Sequence, residues 1–384
     1  MNTTTEILDS AAKRARLMSS PNSVVFSGDG EPQTPRAIIE RLTALHEGGE
    51  LHPDIYSLGG NVESFEHHMA DELGKEAAIW MPTGTLANHL ALRRHSRTKA
   101  RVVLQEQSHI YQDAGDALTR LSGLSSIPLA AGKPYFTAEE LQKAIVLSVT
   151  GRVLNSIGAV SIESPVRRQA GQVVPWSELD SVTKLCREAG IPVHLDGARL
   201  YMMSAATGIA IKKYTELFDS VYVSTWKYFG SPFGAILAGP REFIEGMYHD
   251  RRMFGGGLPS AYIATALAMN GQDGFVERFD ESLAKAKTLF ALINELPGVK
   301  IGQFEHGSNV FELQLDPPID TDRFIDSLLD SGISIPWPSV EWPIPLMHVN
   351  SSILRQSDNE ILEAFTTASS ISRSLLEVTK TLRE

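Results

Sequence analysis

Two apolar runs dominate the middle of the chain, IPVHLDGAR (191–199) and SVYVSTWKYFGSPFGAILAG (220–239). Valine-rich runs with little polar alternation predict strands buried on both faces, so Asp196, Arg199 and Lys227 should emerge where such strands stop. In open α/β sheets ligands bind at that rim. Upstream, VVFSGDG (24–30) predicts a brief strand and turn, and Thr34-Pro35 starts a helix over RAIIERLTAL (36–45) as N-cap and N1 proline. Val62, Phe65, Met69 and Leu73 recur at helical spacing as core positions, and Gly74 stops that helix. AAIWMPTGTLANHLAL (77–92) reads as strand, Thr83-Gly84-Thr85 turn and helix. VVLQ (102–105) is a strand, and TAEE (137–140) opens a helix with a capping box. A strand within AVSIESPVRRQAGQVVP (159–175) ends near Glu163 and gives way to a polar loop. The helix over 177–190 then turns Leu179, Val182 and Leu185 inward. This alternation from about 77 to 240 predicts a largely parallel sheet with helices on both faces.

The last third changes character. A long helical pattern (275–296), a strand VFELQL (310–315), a helix ending before Gly332 and a helix opening on SDNE (357–360) predict a small α+β domain. Residues 1 to about 20 predict an arm or short helix. The expected division is 1–50 joining the small domain, 51–272 as the large domain and 273–384 as the small domain. The loop IPWPSVEWPIP (335–345) carries Trp337 and Trp342, which suit either a pocket wall or plain packing.

Composition narrows the class. A chain of 384 residues can bury a large core, and 42% hydrophobic with 21% charged residues is ordinary for a globular protein. Thirty-five basic against 46 acidic residues give −11, which argues against a nucleic-acid surface. Cys186 is the one cysteine, so neither an intrachain disulfide nor a cysteine-rich metal site is expected. No run approaches membrane-spanning length and no signal-peptide core opens the chain, so a cytoplasmic address is expected, with no metal.

The candidate chemistry lies at the predicted strand ends. An aspartate at one end and a lysine just past a later one suit pyridoxal 5'-phosphate: the amine condenses with its aldehyde, and the carboxylate keeps the pyridine nitrogen protonated. Taken singly, Asp196 and Lys227 also read as solvated loop ends. The Thr83-Gly84-Thr85 turn puts hydroxyls and unpaired N–H groups at a helix start, which suits a phosphate, although threonine is a common N-cap without any ligand. His109, after VVLQ, could be a structural hydrogen-bonding residue, with Asp113 one helical turn on as its partner. Arg167 and Arg168 read as solvated charges or as guanidinium forks facing a substrate acid.

HLDGAR followed by this lysine, with the TGT turn and His109 in the same order, closely resembles the threonine aldolase and β-eliminating lyase family of pyridoxal-phosphate enzymes over about residues 25–350. The resemblance implies an α/β, aspartate-aminotransferase-like fold (fold type I). It implies that Lys227 bonds the cofactor, Asp196 binds the pyridinium nitrogen and His109 stacks on the ring. Thr83, Gly84 and Thr85 would hold the phosphate, and Arg199 would reach the ring hydroxyl side and the substrate carboxylate. Ser27, Arg167, Arg168 and Arg199 would surround a small amino-acid substrate. A homodimer or homotetramer is implied as well, because the family's glycine-rich loop, here Gly255-Gly256-Gly257, reaches a neighbouring subunit. The expected reaction is aldol-type Cα–Cβ cleavage of a β-hydroxy amino acid. The alternatives are β-elimination to a 2-oxo acid and ammonia, a racemase or aminotransferase on the same scaffold and, last, a non-catalytic cofactor-binding protein.

Three departures qualify the resemblance. Leu258-Pro259 stands after the glycines where some members carry a phosphate-touching arginine, so Arg251 or Arg252 would have to replace it, or the contact is lost. Val166 and Arg167 stand where threonine aldolases commonly place a histidine near the β-hydroxyl. PIPLMHV (343–349) has no basic residue except His348 where an arginine usually grips the carboxylate. The expected substrate is therefore a β-hydroxy amino acid other than threonine.

Overall fold

The computed structural model describes residues 12–373; the first eleven residues of the expected N-terminal arm lie outside them, and 12–18 are helical. The described residues divide into two compact units: a small one comprising 12–38 and 274–373, and a large one over Ile39–Asp273. Strand β1 (Val24–Val25) belongs to the small unit.

The large unit is built on seven strands: β2 (Ala77–Met81), β3 (Arg101–Gln105), β4 (Ser125–Leu129), β5 (Ile157–Glu163), β6 (Val193–Asp196), β7 (Ser220–Ser224) and β8 (Ala235–Gly239), in the order β2-β8-β7-β6-β5-β3-β4. β5, β6, β7 and β8 are buried along their whole length, as expected for strands covered on both faces. The pairs from β4 through to β7 are parallel, whereas β8 runs antiparallel to both neighbours. The run 220–239 is thus two strands that reverse through 225–234, and Lys227 sits on the reversal. Glu163, Asp196 and Ser224 end their strands at one edge of the sheet, and that edge carries the site.

Helix signals are realised locally. Thr34 accepts the N–H of Ala37 at 3.1 Å ahead of the helix Pro35–Glu47. Thr137 and Ser357 form complete capping boxes with Glu140 and Glu360. Val62, Phe65, Met69 and Leu73 are fully buried. On the helix Trp176–Glu188 the inward face is Leu179, Val182, Thr183 and Cys186, while Leu185 is only half-buried. In the small unit, β9 (Val299–Gln303), β10 (Val310–Leu315) and β12 (Leu346–His348) form an antiparallel sheet, and β11 (Ile333–Ser334) pairs in parallel with β1.

Candidate active site

The helix Gly84–Ser96 begins where β2 stops. Thr83 is extended, with φ −142° and ψ 151°, and its hydroxyl accepts the N–H of Leu86 at 3.2 Å. The N–H groups of Gly84 and Thr85 precede any intrahelical acceptor, so with the helix dipole they form a seat for an anion. A Cβ on Gly84 would fall 1.9 Å from the hydroxyl oxygen of Tyr222. Glycine is therefore required there by the Tyr222 side chain on β7.

Three buried residues sit side by side on adjacent strands. Register places Glu163 beside Asp196 on one side and Tyr222 beside it on the other. Asp196 is 3% exposed; its Oδ1 accepts the N–H of Ala198 at 3.1 Å and its Oδ2 accepts the side-chain amide of Asn88 at 2.5 Å. Glu163 accepts the backbone N–H of His109 at 2.5 Å and that of Arg167 at 2.9 Å. Burial first, and the neighbouring Asp196 charge second, push the Glu163 carboxyl up to about 7. His109 opens the short helix His109–Gln112, and burial lowers its pKa, which favours a neutral ring.

Lys227 and Trp226 follow β7, with the lysine Nζ 5.7 Å from the Trp226 ring centroid. Thr83, Gly84, Thr85, His109, Asp196, Arg199 and Lys227 line one cleft of about 650 Å³, together with Glu163, Arg167 and Tyr222. Small-molecule sites span about 300–1,000 Å³. Glu163, Tyr222 and Asn88 come in addition to the residues expected from the sequence. Glu163 had a legible signal, since it ends an apolar strand at the same rim as Asp196. Asn88 and Tyr222 had none, because their roles depend on contacts across the sheet.

Asp113 lines the same cleft. It does not pair with the His109 ring in the way the spacing suggested: its oxygens accept Arg167 Nη2 at 2.8 Å, Arg168 Nη2 at 2.7 Å and Arg168 Nε at 3.1 Å. The bond from Arg168, then that from Arg167, holds the Asp113 carboxyl down to about 2. Arg167 lines the cleft, whereas Arg168 and Ser27 are not among its lining residues, and Ser27 belongs to the small unit. Arg251 cannot supply a phosphate contact, because its buried guanidinium donates to the carbonyls of Trp80 at 2.6 Å and Ser57 at 2.9 Å. Arg252 instead lies over the Tyr56 ring at 4.5 Å. Of the two residues at the place of the missing histidine, Val166 is fully buried and only Arg167 lines the cleft.

A second cleft, of about 740 Å³, opens at the opposite edge of the sheet, where Gly158, Pro192 and Asp219 precede or begin their strands. Its lining also holds an amine and carboxylates, Lys99, Asp219 and Glu242, but it lies at the amino ends of the parallel strands, away from the carboxyl-end rim where ligands bind in such sheets. Among the described residues, no group of three or more His, Cys, Asp or Glu could hold a metal ion, and no helix is long and apolar enough to cross a membrane.

A phosphorylated pyridine aldehyde fits the donor set of the first cleft: helix N–H groups for the phosphate, a carboxylate for the ring nitrogen, an amine for the aldehyde and an imidazole for the ring face. Fold and cleft together define a fold type I pyridoxal-phosphate-dependent enzyme. The β-eliminating lyase family model matches residues 36–315, and the chain belongs to that family. A low-specificity L-threonine aldolase of Candida albicans is 30% identical over 272 residues, covering 70% of this chain and 67% of that one. The alanine racemase TOXG of Cochliobolus carbonum is 33% identical over 298 residues, 74% of each chain. Among solved structures, an Exiguobacterium protein assigned to the aromatic amino acid β-eliminating lyase/threonine aldolase group superposes with a TM-score of 0.78 at 27% identity, covering 92% of this chain and 99% of that one.

Proposed function

We propose that this lyase cleaves the Cα–Cβ bond of a β-hydroxy amino acid other than threonine. The observation that carries the reading is the convergence of Lys227, Asp196, His109 and the Gly84 helix start on one cleft that also holds Arg167. Bound there, the cofactor supplies an electron sink for the pair left on Cα when the bond breaks. Lys227 would bond the cofactor and then carry protons to and from the substrate. Asp196 would keep the proton on the pyridine nitrogen. His109 would cover the ring face, and Gly84 and Thr85 would seat the phosphate. Arg199 would grip the substrate carboxylate, and Arg167 would meet a second acidic group. In net terms the β-hydroxyl loses its proton, Cβ leaves as an aldehyde, and Cα takes up a proton to give glycine.

The test is an amino-acid panel of threonine, phenylserine and 3-hydroxyaspartate, scored separately for aldehyde and for 2-oxo acid with ammonia. Faster aldehyde release from one of the latter two than from threonine is expected. Oxo acid and ammonia without aldehyde would hand the reaction to β-elimination. Borohydride should fix the cofactor on Lys227; fixation on another lysine would remove that residue from its role.

A racemase is the second reading, favoured by the likeness to an alanine racemase. Exchange of the alanine α-proton in heavy water, with loss of optical activity and no aldehyde from the panel, would select it.

A homodimer or homotetramer in the cytoplasm completes the reading. Ile55, Tyr56, Leu58 and Met253 are 47–74% exposed, an apolar group beside the Arg252–Tyr56 contact that a second copy could cover. The cytoplasmic part accords with a single, buried cysteine.

A further inference from the structure

Behind Asp196 runs a line of hydrogen bonds that the proposed chemistry does not use. Asn88 Nδ2 reaches Asp196 Oδ2 at 2.5 Å, and Asn88 Oδ1 meets His194 Nε2 at 2.8 Å. His194 Nδ1 meets Ser220 Oγ at 2.8 Å, and Ser220 Oγ meets His95 Nε2 at 2.7 Å. Sequence spacing explains why these groups face one another. Asn88 and His95 are seven apart on one helix, two turns along the same face, and His194 and Asp196 are two apart on β6, so both point to the same side of the sheet. All five residues belong to the large unit.

The chain of bonds has one consistent direction. An ionised Asp196 only accepts, so the Asn88 amide must turn its NH2 toward it and its oxygen toward His194. That oxygen requires a proton on His194 Nε2, which leaves Nδ1 bare. Ser220 must then donate to Nδ1, and its oxygen accepts from His95 Nε2–H. Every donor in the line points toward Asp196, and such chains strengthen one another by polarisation.

We propose that His194, acting through Asn88, is a positioning residue that keeps Asp196 aimed at the cofactor's pyridine nitrogen, with Ser220 and His95 fixing its tautomer. The proposal rests on the assignment of Asp196 given above. Burial supports it by pushing the His194 imidazole down to about 3, so the ring stays neutral and one of its nitrogens stays an acceptor.

Two measurements test it. In protein labelled with ¹⁵N-histidine, His194 should titrate nowhere between pH 6 and 8 and should show a protonated Nε2 and a bare Nδ1; a protonated Nδ1 overturns the relay. In the second, cofactor dissociation constants and absorbance spectra are compared for wild type, His194→Leu, His194→Gln and Asp196→Asn. Gln retains an N–H for Asn88, whereas Leu does not. A rise in the dissociation constant of tenfold or more, with an altered cofactor band, is expected for His194→Leu, and His194→Gln should recover most of both. Equal damage in Leu and Gln would reduce His194 to a packing residue and overturn the proposal. An Asp196→Asn protein with unchanged affinity and spectrum would overturn the reading of Asp196 itself, an outcome separate from the tautomer result.

Discussion

The backbone N–H of His109 donates to the carboxylate of Glu163 at 2.5 Å, and the other oxygen of that carboxylate takes the N–H of Arg167 at 2.9 Å. One buried side chain therefore fixes both the residue proposed to cover the cofactor ring and the first residue of the arginine pair.

Glutamine at position 163 can accept only one of these N–H groups and turns its own NH2 toward the other. An unmatched buried donor costs roughly 1–3 kcal/mol. Glu163→Gln should therefore lower the melting temperature and raise KM for the substrates, through displacement of His109 and Arg167. A variant equal to wild type in both measurements would show that the carboxylate is not needed to hold the two loops.

Gly84 offers a second check on the cradle. Alanine there would place its Cβ 1.9 Å from the Tyr222 hydroxyl and 2.3 Å from the ring carbon that bears it, so trimming the tyrosine to phenylalanine does not relieve the clash. Overpacking of this kind costs about 1–3 kcal/mol. Because the collision sits at the proposed phosphate seat, Gly84→Ala should weaken cofactor affinity at least tenfold, measured by titrating apoprotein with pyridoxal phosphate. Undiminished affinity would place the phosphate elsewhere.

Local signals made much of this arrangement legible. Capping residues such as Thr137 and Ser357, and the apolar spacing of Val62, Phe65, Met69 and Leu73, act within a few residues of themselves and read directly from the sequence. So did the strand ends that bring Asp196 to the rim. What could not be read was pairing across elements. The Asp113 carboxylate sits one turn from His109, which suggested the imidazole as its partner, yet two guanidiniums from the loop after β5 claim it. The reversal that turns 220–239 into two antiparallel strands was hidden as well, because both halves are equally apolar.

Acid stability should carry the mark of the buried histidines. Burial pushes His194 down to about 3 and His95 from 6.5 to about 4, so between those values and 6.5 the unfolded chain binds protons that the folded chain refuses. Their contribution to stability is complete above about 6.5 and is lost as pH falls. Glu66 and Glu163 oppose this trend: each is raised to about 7, mainly by burial, and favours the folded state toward acid. The wild-type curve therefore mixes two signs, and a difference isolates one. His95 stacks on Phe243 with centroids 4.3 Å apart, a contact phenylalanine can keep. Apoprotein His95→Phe should gain stability relative to wild type by more than about 1 kcal/mol between pH 7 and 5, since each pKa unit is worth about 1.4 kcal/mol. A gap that stays constant with pH would mean that His95 takes up its proton in the folded state at the same pH as in the unfolded chain.

The arginine pair bears most directly on substrate choice. Arg167 lines the cleft, while Arg168 is not among the lining residues and shares the Asp113 carboxylate with it. If Arg167 meets a second acidic group on the substrate, Arg167→Ala should raise KM for 3-hydroxyaspartate by about tenfold to a hundredfold, the equivalent of the roughly 1.5–3 kcal/mol typical of a hydrogen bond to a charged group. Phenylserine, which has no such group, should change much less. Arg168→Ala should have a smaller effect in the same direction, because it reaches the substrate only by loosening Asp113. The Asp113 carboxyl is depressed from 3.8 to about 2, so its pairing is intact above about pH 4 and is lost only as pH falls toward 2. The selectivity of wild type between the two substrates should therefore stay flat across about pH 6–9 as far as this clamp sets it. Equal losses on both substrates, or an Arg168→Ala protein more impaired than Arg167→Ala, would take the pair out of substrate recognition and leave it as a brace for the loop after β5.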